Sequence, residues 1–320
     1  MEKMIYRAPR EALVPPGGVD CHVRDMTATV SADVPLAAFQ SKLAEHGQWL
    51  PIDGDPRQTI GTLVSCDSTG PLRLGYGAWR DLLLGAQFKN GRGELITAGG
   101  RTVKNVAGYD LTKFIVGQRE IFGNLISVTT RTYRRPAGAV LARYAPDVRM
   151  LSRMIPTSLK PQWAVLTRDG LLCGYVGDEP ALAFYRAALP GSEPIEIVER
   201  SLEQDIEHRA AMWNPPGEIV FRASVPPARL GELASPLAGW RWAADASFGV
   251  IVGAGDDAAR SSVLRSACES VGGSLKTFRG PFGPPIELST TPAERQIIDR
   301  LKLAFDPEHT LNPLPWPTTP

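Results

Sequence analysis

Several ordinary sources of function are absent or thin in this chain. Cysteine is sparse: Cys21, Cys66, Cys173 and Cys268 stand far apart with no CxxC pair, so neither a disulfide framework nor a clustered zinc site is spelled out, and reduced thiols are the plain reading. The four histidines, His22, His46, His208 and His309, are equally scattered. None lies at an i, i+4 spacing from another ligand, which argues against a metal. There is no GxSxG elbow and no cysteine with a histidine nearby in sequence, so nucleophilic hydrolysis has no support. Charge of one sign is also missing. A formal net charge of +1 over 320 residues excludes a generally basic nucleic-acid binder, and the cluster Arg131, Arg134 and Arg135 reads as a solvated strand end or a contact for an acidic protein surface. No uncharged apolar run approaches the roughly 20 residues that span a bilayer. The N-terminus carries Glu2, Lys3, Arg7, Arg10 and Glu11 where a secretion signal would be apolar. The location expected is cytoplasmic, alone or held at a membrane by a partner.

What is present is an ordinary globular composition, 43% hydrophobic and 22% charged, long enough for two domains. Residues 1–24 read as an arm ending near PPGG. DMTATVSADV then alternates as a strand, and PLAAFQSKLAEHG gives a helix with Pro35 at its first position, Leu36, Phe39 and Leu43 on one face, and Gly47 closing it. The passage from Gln48 to Trp79 is dense in Gly, Pro, Ser and Thr and is expected to be a long irregular, functional loop. LLLGAQFKNGRGELITAGG reads as a hairpin around Asn90-Gly91, and NLISVTTRTYRRP as a β-branched strand stopped by Pro136. A domain boundary is placed there. Beyond it, strands at 139–144, 163–168, EIVFRASV, SFGVIVGAG and SLKTFRG interleave with helices at 201–213, ARLGELASPL and DDAARSSVLRSACESVGG. That order predicts an antiparallel α+β layer of the split-βαβ kind, with no internal repeat apparent. A last helix opens on the capping box Thr291-Pro292-Ala293-Glu294, with Ile297, Ile298, Leu301 and Phe305 expected as its buried stripe.

The stretch GGRTVKNVAGYDLTKFIVG, residues 99–117, is chemically the most suggestive. It is neither a Walker loop nor a GxGxxG fingerprint. Gly108 permits close backbone approach, and Asp110 can cap a helix at 111–116 whose first amides favour an anion. Taken alone it is a structural turn as readily as a ligand site. Arg222 and Arg241 are possible carboxylate binders in the second half, with structural pairing the simpler role for each.

Three stretches together are more specific: AEHGQWLPID (44–53), TIGTLVSCDSTGPLRLGYGAWRDLLLG (59–85) and GGRTVKNVAGYDLTKFIVG (99–117). In this order and spacing they resemble the PCMH-type, or vanillyl-alcohol-oxidase-type, flavoproteins, and among them the small FAD-binding subunits of bacterial glycolate oxidase. The likeness covers residues 25–136 strongly and continues loosely through RWAADASFGVIVGAG and RLKLAFDPEHTLNP. It implies an α+β fold: a PCMH-type FAD-binding domain at 25–136, its second subdomain largely intact and its first largely lacking, then a ferredoxin-like antiparallel cap at 137–320 whose C-terminal helix and tail return to the flavin domain. It also implies FAD as cofactor, bound by Thr59, Ile60, Gly61, Thr62, Ser65, Ser68 and Gly70, with Gly108, Tyr109 and Asp110 close by and Gly117 and Gly123 holding the last turn. Partners implied are a larger FAD-containing subunit and an iron–sulfur subunit, in a complex that oxidises glycolate or another 2-hydroxy acid. No catalytic residue is nominated. The sequence departs from the family in lacking the glycine-rich pyrophosphate loop and in placing Glu120 and Ile121 at positions usually Gly and Thr. Those departures motivate a second expectation: a flavin-free scaffold that keeps the fold and interfaces.

Overall fold

A computed structural model describes residues 11–100, 111–257, 259–280, 285–288 and 290–316. Two antiparallel sheets organise the chain. The first half runs β1 (Val19–His22), β2 (Thr27–Ser31), α1 (Leu36–Ala44), β3 (Gln48–Trp49), α2 (Ile60–Ser65), α3 (Arg73–Tyr76), α4 (Trp79–Leu82), β4 (Leu83–Lys89), β5 (Leu95–Gly99), α5 (Leu111–Ile115), β6 (Asn124–Arg131) and β7 (Tyr133–Arg134). Its five-stranded sheet has the order β1-β2-β6-β4-β5, while β3 and β7 pair separately. Apolar residues from α1, α2, α4 and the sheet, including Phe39, Leu43, Ile60, Leu63, Trp79 and Phe88, close one core beneath it.

Several local readings shift. The segment read as an arm holds β1, which pairs residue for residue with β2. Pro35 is the residue before α1, in extended conformation, so the helix begins at Leu36. The Gly- and Pro-rich passage is helical in part. Thr59 caps α2 by accepting from the Thr62 amide, and TIG is a helix start where a turn was expected. The hairpin is present, but its connection spans residues 90–94: the Asn90 side-chain oxygen accepts from the amides of Arg92 and Glu94, both at 3.0 Å, and folds a longer loop.

The second half runs β8 (Gly138–Tyr144), α6 (Arg149–Met154), β9 (Trp163–Thr167), β10 (Gly170–Gly177), α7 (Glu179–Ala188), β11 (Glu196–Ser201), α8 (Leu202–Trp213), β12 (Ile219–Ser224), a 3-10 turn (Pro227–Leu233), β13 (Arg241–Asp245), β14 (Val250–Gly255), α9 (Ala259–Ser270), β15 (Ser274–Arg279), β16 (Pro285–Leu288) and α10 (Pro292–Phe305). The sheet order is β11-β8-β10-β9-β13-β14-β12-β15-β16. Each half of this sheet repeats one plan. In β8–β11 the strands lie in the order fourth, first, third, second, and β12–β15 give the mirror of that order, joined to the first set through β9 and β13. The repeat lives in topology, not in residue identity, which is why no sequence period reveals it.

Strand alternation then decides what meets what. Val140, Ala142, Ala164, Leu166 and Ile251 face the sheet's own helices. Ala139, Leu141, Val165, Val250 and Val252 point the other way and pack with Trp49 and Leu72 of the first half and Trp213 of α8. The C-terminal helix α10 lies back on the first half, where Phe305 packs against Phe88, Phe114 and Phe122.

Candidate functional site: the cleft between the two sheets

The structure spends most of the backbone expected to cradle a phosphate on its own packing. At the start of α2, the Ile60 amide donates to the Val34 carbonyl at 2.9 Å and the Gly61 amide to the Ala32 carbonyl at 2.8 Å. The Thr62 amide is taken by the Thr59 hydroxyl at 3.2 Å, and the two threonine hydroxyls bond each other at 2.9 Å. A helix start whose amides are all paired offers nothing to an anion. The glycines are required by the chain itself: a Cβ on Gly61 would lie 2.9 Å from Ala32, on Gly70 2.3 Å from Asp53, and on Gly123 2.5 Å from Phe88. Gly70 and Gly117 also sit at φ +78 and +81. Gly108, Tyr109 and Asp110 lie outside the described residues.

Ser65 and Ser68 are different. Ser65 is buried, and its hydroxyl has no partner among the described residues. Its carbonyl accepts from the Arg119 amide at 2.8 Å and the Val64 carbonyl from the Gly117 amide at 3.0 Å, so the 117–119 turn is pinned to the end of α2. Ser68 is held by its own amide on Leu63 and by the Trp79 indole on its carbonyl.

These contacts place Cys66, Ser68 and Arg119 opposite Asn214, Arg222, Val252 and Phe278 of the second half, around a cavity of about 50 Å³. The Arg119 guanidinium lies 3.7 Å from the centre of the Phe278 ring. Arg222 donates through Nη1 to the Asp67 carbonyl at 2.6 Å, and its Nη2 is 3.5 Å from the Asp67 carboxylate. Burial raises the Cys66 thiol, with Arg119 only partly opposing it, which favours the thiol over the thiolate. The backbone is unusual here as well. Asp67, Arg119 and Glu120 adopt φ of +52, +50 and +60, so the expected glycine position at Glu120 does have a glycine-like conformation. Its side chain is exposed, while Ile121 is buried against Phe122 and Leu314.

A second polar assembly locks the two halves. Arg209 on α8 donates through Nε to the Asp53 carboxylate at 2.7 Å and pairs with Asp205, all three essentially inaccessible to water. Asp53 also accepts from the Leu72 amide at 3.2 Å. No sequence signal separates this arginine from surface arginines, because its partner lies 156 residues away.

Residues 17–99 match the family described as FAD binding domain. This part of the chain resembles an FAD-binding domain. It resembles the glycolate oxidase subunit GlcE of Escherichia coli (strain K12), with 32% identity over 217 residues, 66% of this chain and 61% of that protein. The glycolate oxidase subunit GlcD of Bacillus subtilis is 31% identical over 35% of the chain and 24% of its own length. A mitochondrial D-lactate dehydrogenase [cytochrome] of Arabidopsis thaliana is 30% identical over 38% of the chain and 21% of its own. The chain thus spans less than two thirds of the curated relatives it matches. Among solved structures, alkyldihydroxyacetonephosphate synthase superposes with TM-score 0.63 over 91% of this chain and 65% of that one, at 14% identity, a likeness of fold alone. FAD is the cofactor that the domain match and these relatives support, and the flavin-free scaffold draws no support from them. Tested against the structure, FAD is matched in chemistry by a partnerless buried hydroxyl at Ser65 and by cations at Arg119 and Arg222. Pockets for cofactors usually enclose about 300–1,000 Å³, so the cleft with Arg119 across Phe278 fits a flavin nucleotide in charge and not in volume.

Proposed function

We propose that this chain is the FAD-binding subunit of a glycolate (2-hydroxy acid) oxidase or dehydrogenase complex that converts glycolate to glyoxylate. It works beside a larger FAD-containing subunit and an iron–sulfur subunit, and not as a free-standing enzyme. The observation that carries this reading is the similarity to GlcE over 66% of the chain, together with the match of residues 17–99 to the FAD binding domain. In this reading the flavin domain runs to residue 136 and takes in β1, which pairs with β2 ahead of the expected start at 25, and 137–320 form a cap built from two ferredoxin-like units fused edge to edge. The repeated strand order supports that description. The protein works in the cytoplasm, with any membrane attachment made through its partners; among the described residues no helix is long and apolar enough to cross a bilayer.

FAD, when bound, supplies a hydride acceptor for the alcohol carbon of the substrate. The chain's own residues would hold it through Ser65 and Ser68, Arg119 and Arg222. Ser65 would donate its idle hydroxyl, and the two guanidiniums would set the charge around the ring or phosphates. The turn at Gly117–Gly123 keeps the backbone tight behind them. Thr59, Ile60, Gly61 and Thr62 would act indirectly, by fixing α2 against β2, since their amides are already bonded. Absorbance at 450 nm on the purified full chain tests the reading. A near-stoichiometric flavin signal supports it, and a colourless protein that rejects added FAD overturns it. Co-expression with the two companion subunits tests the complex, with co-elution as the expected result.

A further inference from the structure

One end of the second sheet is left open. β11 is the last strand on its side and pairs with β8 alone among the described residues. Exposed edges invite a further strand, and proteins commonly blunt them with proline, short length or charge. The opposite edge follows that rule, since β16 has four residues and opens on Pro285. β11 instead runs six residues, Glu-Ile-Val-Glu-Arg-Ser, without proline. Ile195, just ahead of it, is 60% exposed, and Ile197 within it 36%. Its acidic charges are already compensated inside the chain. Arg143 engages one oxygen, Oε2, of Glu196, and Arg186 of α7 holds Glu199, both at 3.0 Å. Arg200 is different. Its Nε is buried with no hydrogen-bond partner among the described residues, and so is Nε2 of His208 on α8. Both residues line a groove of about 520 Å³ between β11 and α8, together with Val198, Gln204 and Glu207.

We infer that a second copy of this chain docks on β11, strand against antiparallel strand, and extends the sheet across a two-fold axis at Val198. The order of charges along the strand selects both that partner and that register. Glu196, Val198 and Arg200 stand opposite Arg143, Leu141 and Ala139 of β8, so the three share the face of the sheet that α8 covers. With Val198 on the axis, Glu196 of each copy meets the Arg200 of the other, and Val198 meets its own symmetry mate. Symmetry thus makes two opposite-charge pairs from one sequence. Moving the axis to Glu199 sets that carboxylate against its own copy, and moving it to Ile197 leaves Arg200 facing Pro194. The second oxygen of Glu196 supplies the acceptor that Arg200 lacks within its own chain, and the added strand covers Ile197. This docking stands on the sheet edge alone and does not depend on the flavin reading.

The test is sedimentation velocity on the full chain over a range of concentrations, with a reversible dimer expected. Arg200→Glu and Glu196→Lys each turn both cross-strand pairs into like-charge pairs, and each should weaken dimerisation about tenfold or more. Mixed in equal amounts, the two variants recreate opposite charges at both pairs, so a heterodimer of near-parental affinity should return. Val198→Cys gives a second reading, independent of charge and of how Glu196→Lys is tolerated beside Arg143. Directly opposed residues of antiparallel strands lie within disulfide reach, so mild oxidation should link this variant into a dimer. The parent chain, with its four native cysteines, should stay unlinked under the same conditions. The inference is overturned by a parent chain that is monomeric throughout, its edge then left to another protein or to none. It is equally overturned if both charge variants dimerise like the parent, if the mixture of folded variants stays monomeric, or if Val198→Cys cross-links no more than the parent.

Discussion

Replacing Arg209 with methionine should cost more stability than any surface change in this protein. The guanidinium sits between Asp53 of the first half and Asp205 of its own helix, and none of the three is more than 1% exposed. Methionine nearly conserves the aliphatic stem, so little packing is lost. What remains is two carboxylates out of water with their counter-charge gone, and breaking a buried pair in this way costs about 3–5 kcal/mol. Desolvation already outweighs Arg209 at Asp53 and holds its carboxyl above the usual range, so without the cation it rises further. For a chain of this size each kcal/mol moves the midpoint by about 2–4 °C, which gives a drop on the order of 10 °C in a calorimetric melt.

The pH dependence is what identifies the cause. Asp53 and Asp205 can escape the penalty by taking up protons, so the deficit of Arg209→Met should be largest near pH 8 and shrink towards pH 5. Adding Asp53→Asn and Asp205→Asn to Arg209→Met should restore most of the loss. A single substitution costing less than about 1 kcal/mol, or a deficit equal at both pH values, would refute the assignment of this cluster as a buried electrostatic lock.

Three further outcomes follow from the same structure. Burial lifts the Asp245 carboxyl to about 6, above its unfolded value of 3.8, so the folded chain binds the extra proton and its stability falls as pH rises through roughly 4–6. Asp245→Asn, which keeps an acceptor for the Ser247 amide, should therefore gain on the order of 1–3 kcal/mol at pH 8 and little at pH 4 in urea titrations. Glu120→Gly removes a side chain from φ +60 and should raise stability by about 0.5–1 kcal/mol, read as a higher melting midpoint. Lys302 is buried on α10, donating to the Ile121 and Asn312 carbonyls at 2.9 and 2.8 Å and to the Asp306 carboxylate at 2.5 Å. Lys302→Met should release the segment after Phe305 to limited proteolysis and cost about 3 kcal/mol or more.

Much of the secondary structure was legible because local chemistry decided it. Gly47 does adopt φ +65 behind α1, and Thr291 with Glu294 does form the capping box of α10, since both depend on residues a few places apart. The Gly- and Pro-rich passage misled for the opposite reason. Ile60, Leu63 and Val64 form a helix there because they are wholly buried against α1 and the first sheet, and that tertiary contact overrides a turn-like composition. The doubled cap was invisible as well, since topology repeats where residues do not.

The expected site divides along the same line. Small residues near a phosphate and small residues in tight self-packing look alike in sequence, because both need backbone brought close. Coordinates separate them by asking where the amide goes, and at Ile60 and Gly61 it goes to Val34 and Ala32. Among the described residues Ser65 keeps a hydroxyl with nothing to bond. The charge that lines the cleft comes instead from Arg119 and Arg222, the second on a strand where alternate residues face solvent and arginine is unremarkable. The register between β12 and β15 sets Arg222 across from Lys276, and the long intervening chain hides that register from the sequence. A site assembled by strand pairing is thus written in the fold, while one assembled by a loop is written in the chain. This protein has an idle hydroxyl at Ser65, near a loop, and at Arg222 a cation whose neighbours are set by strand pairing.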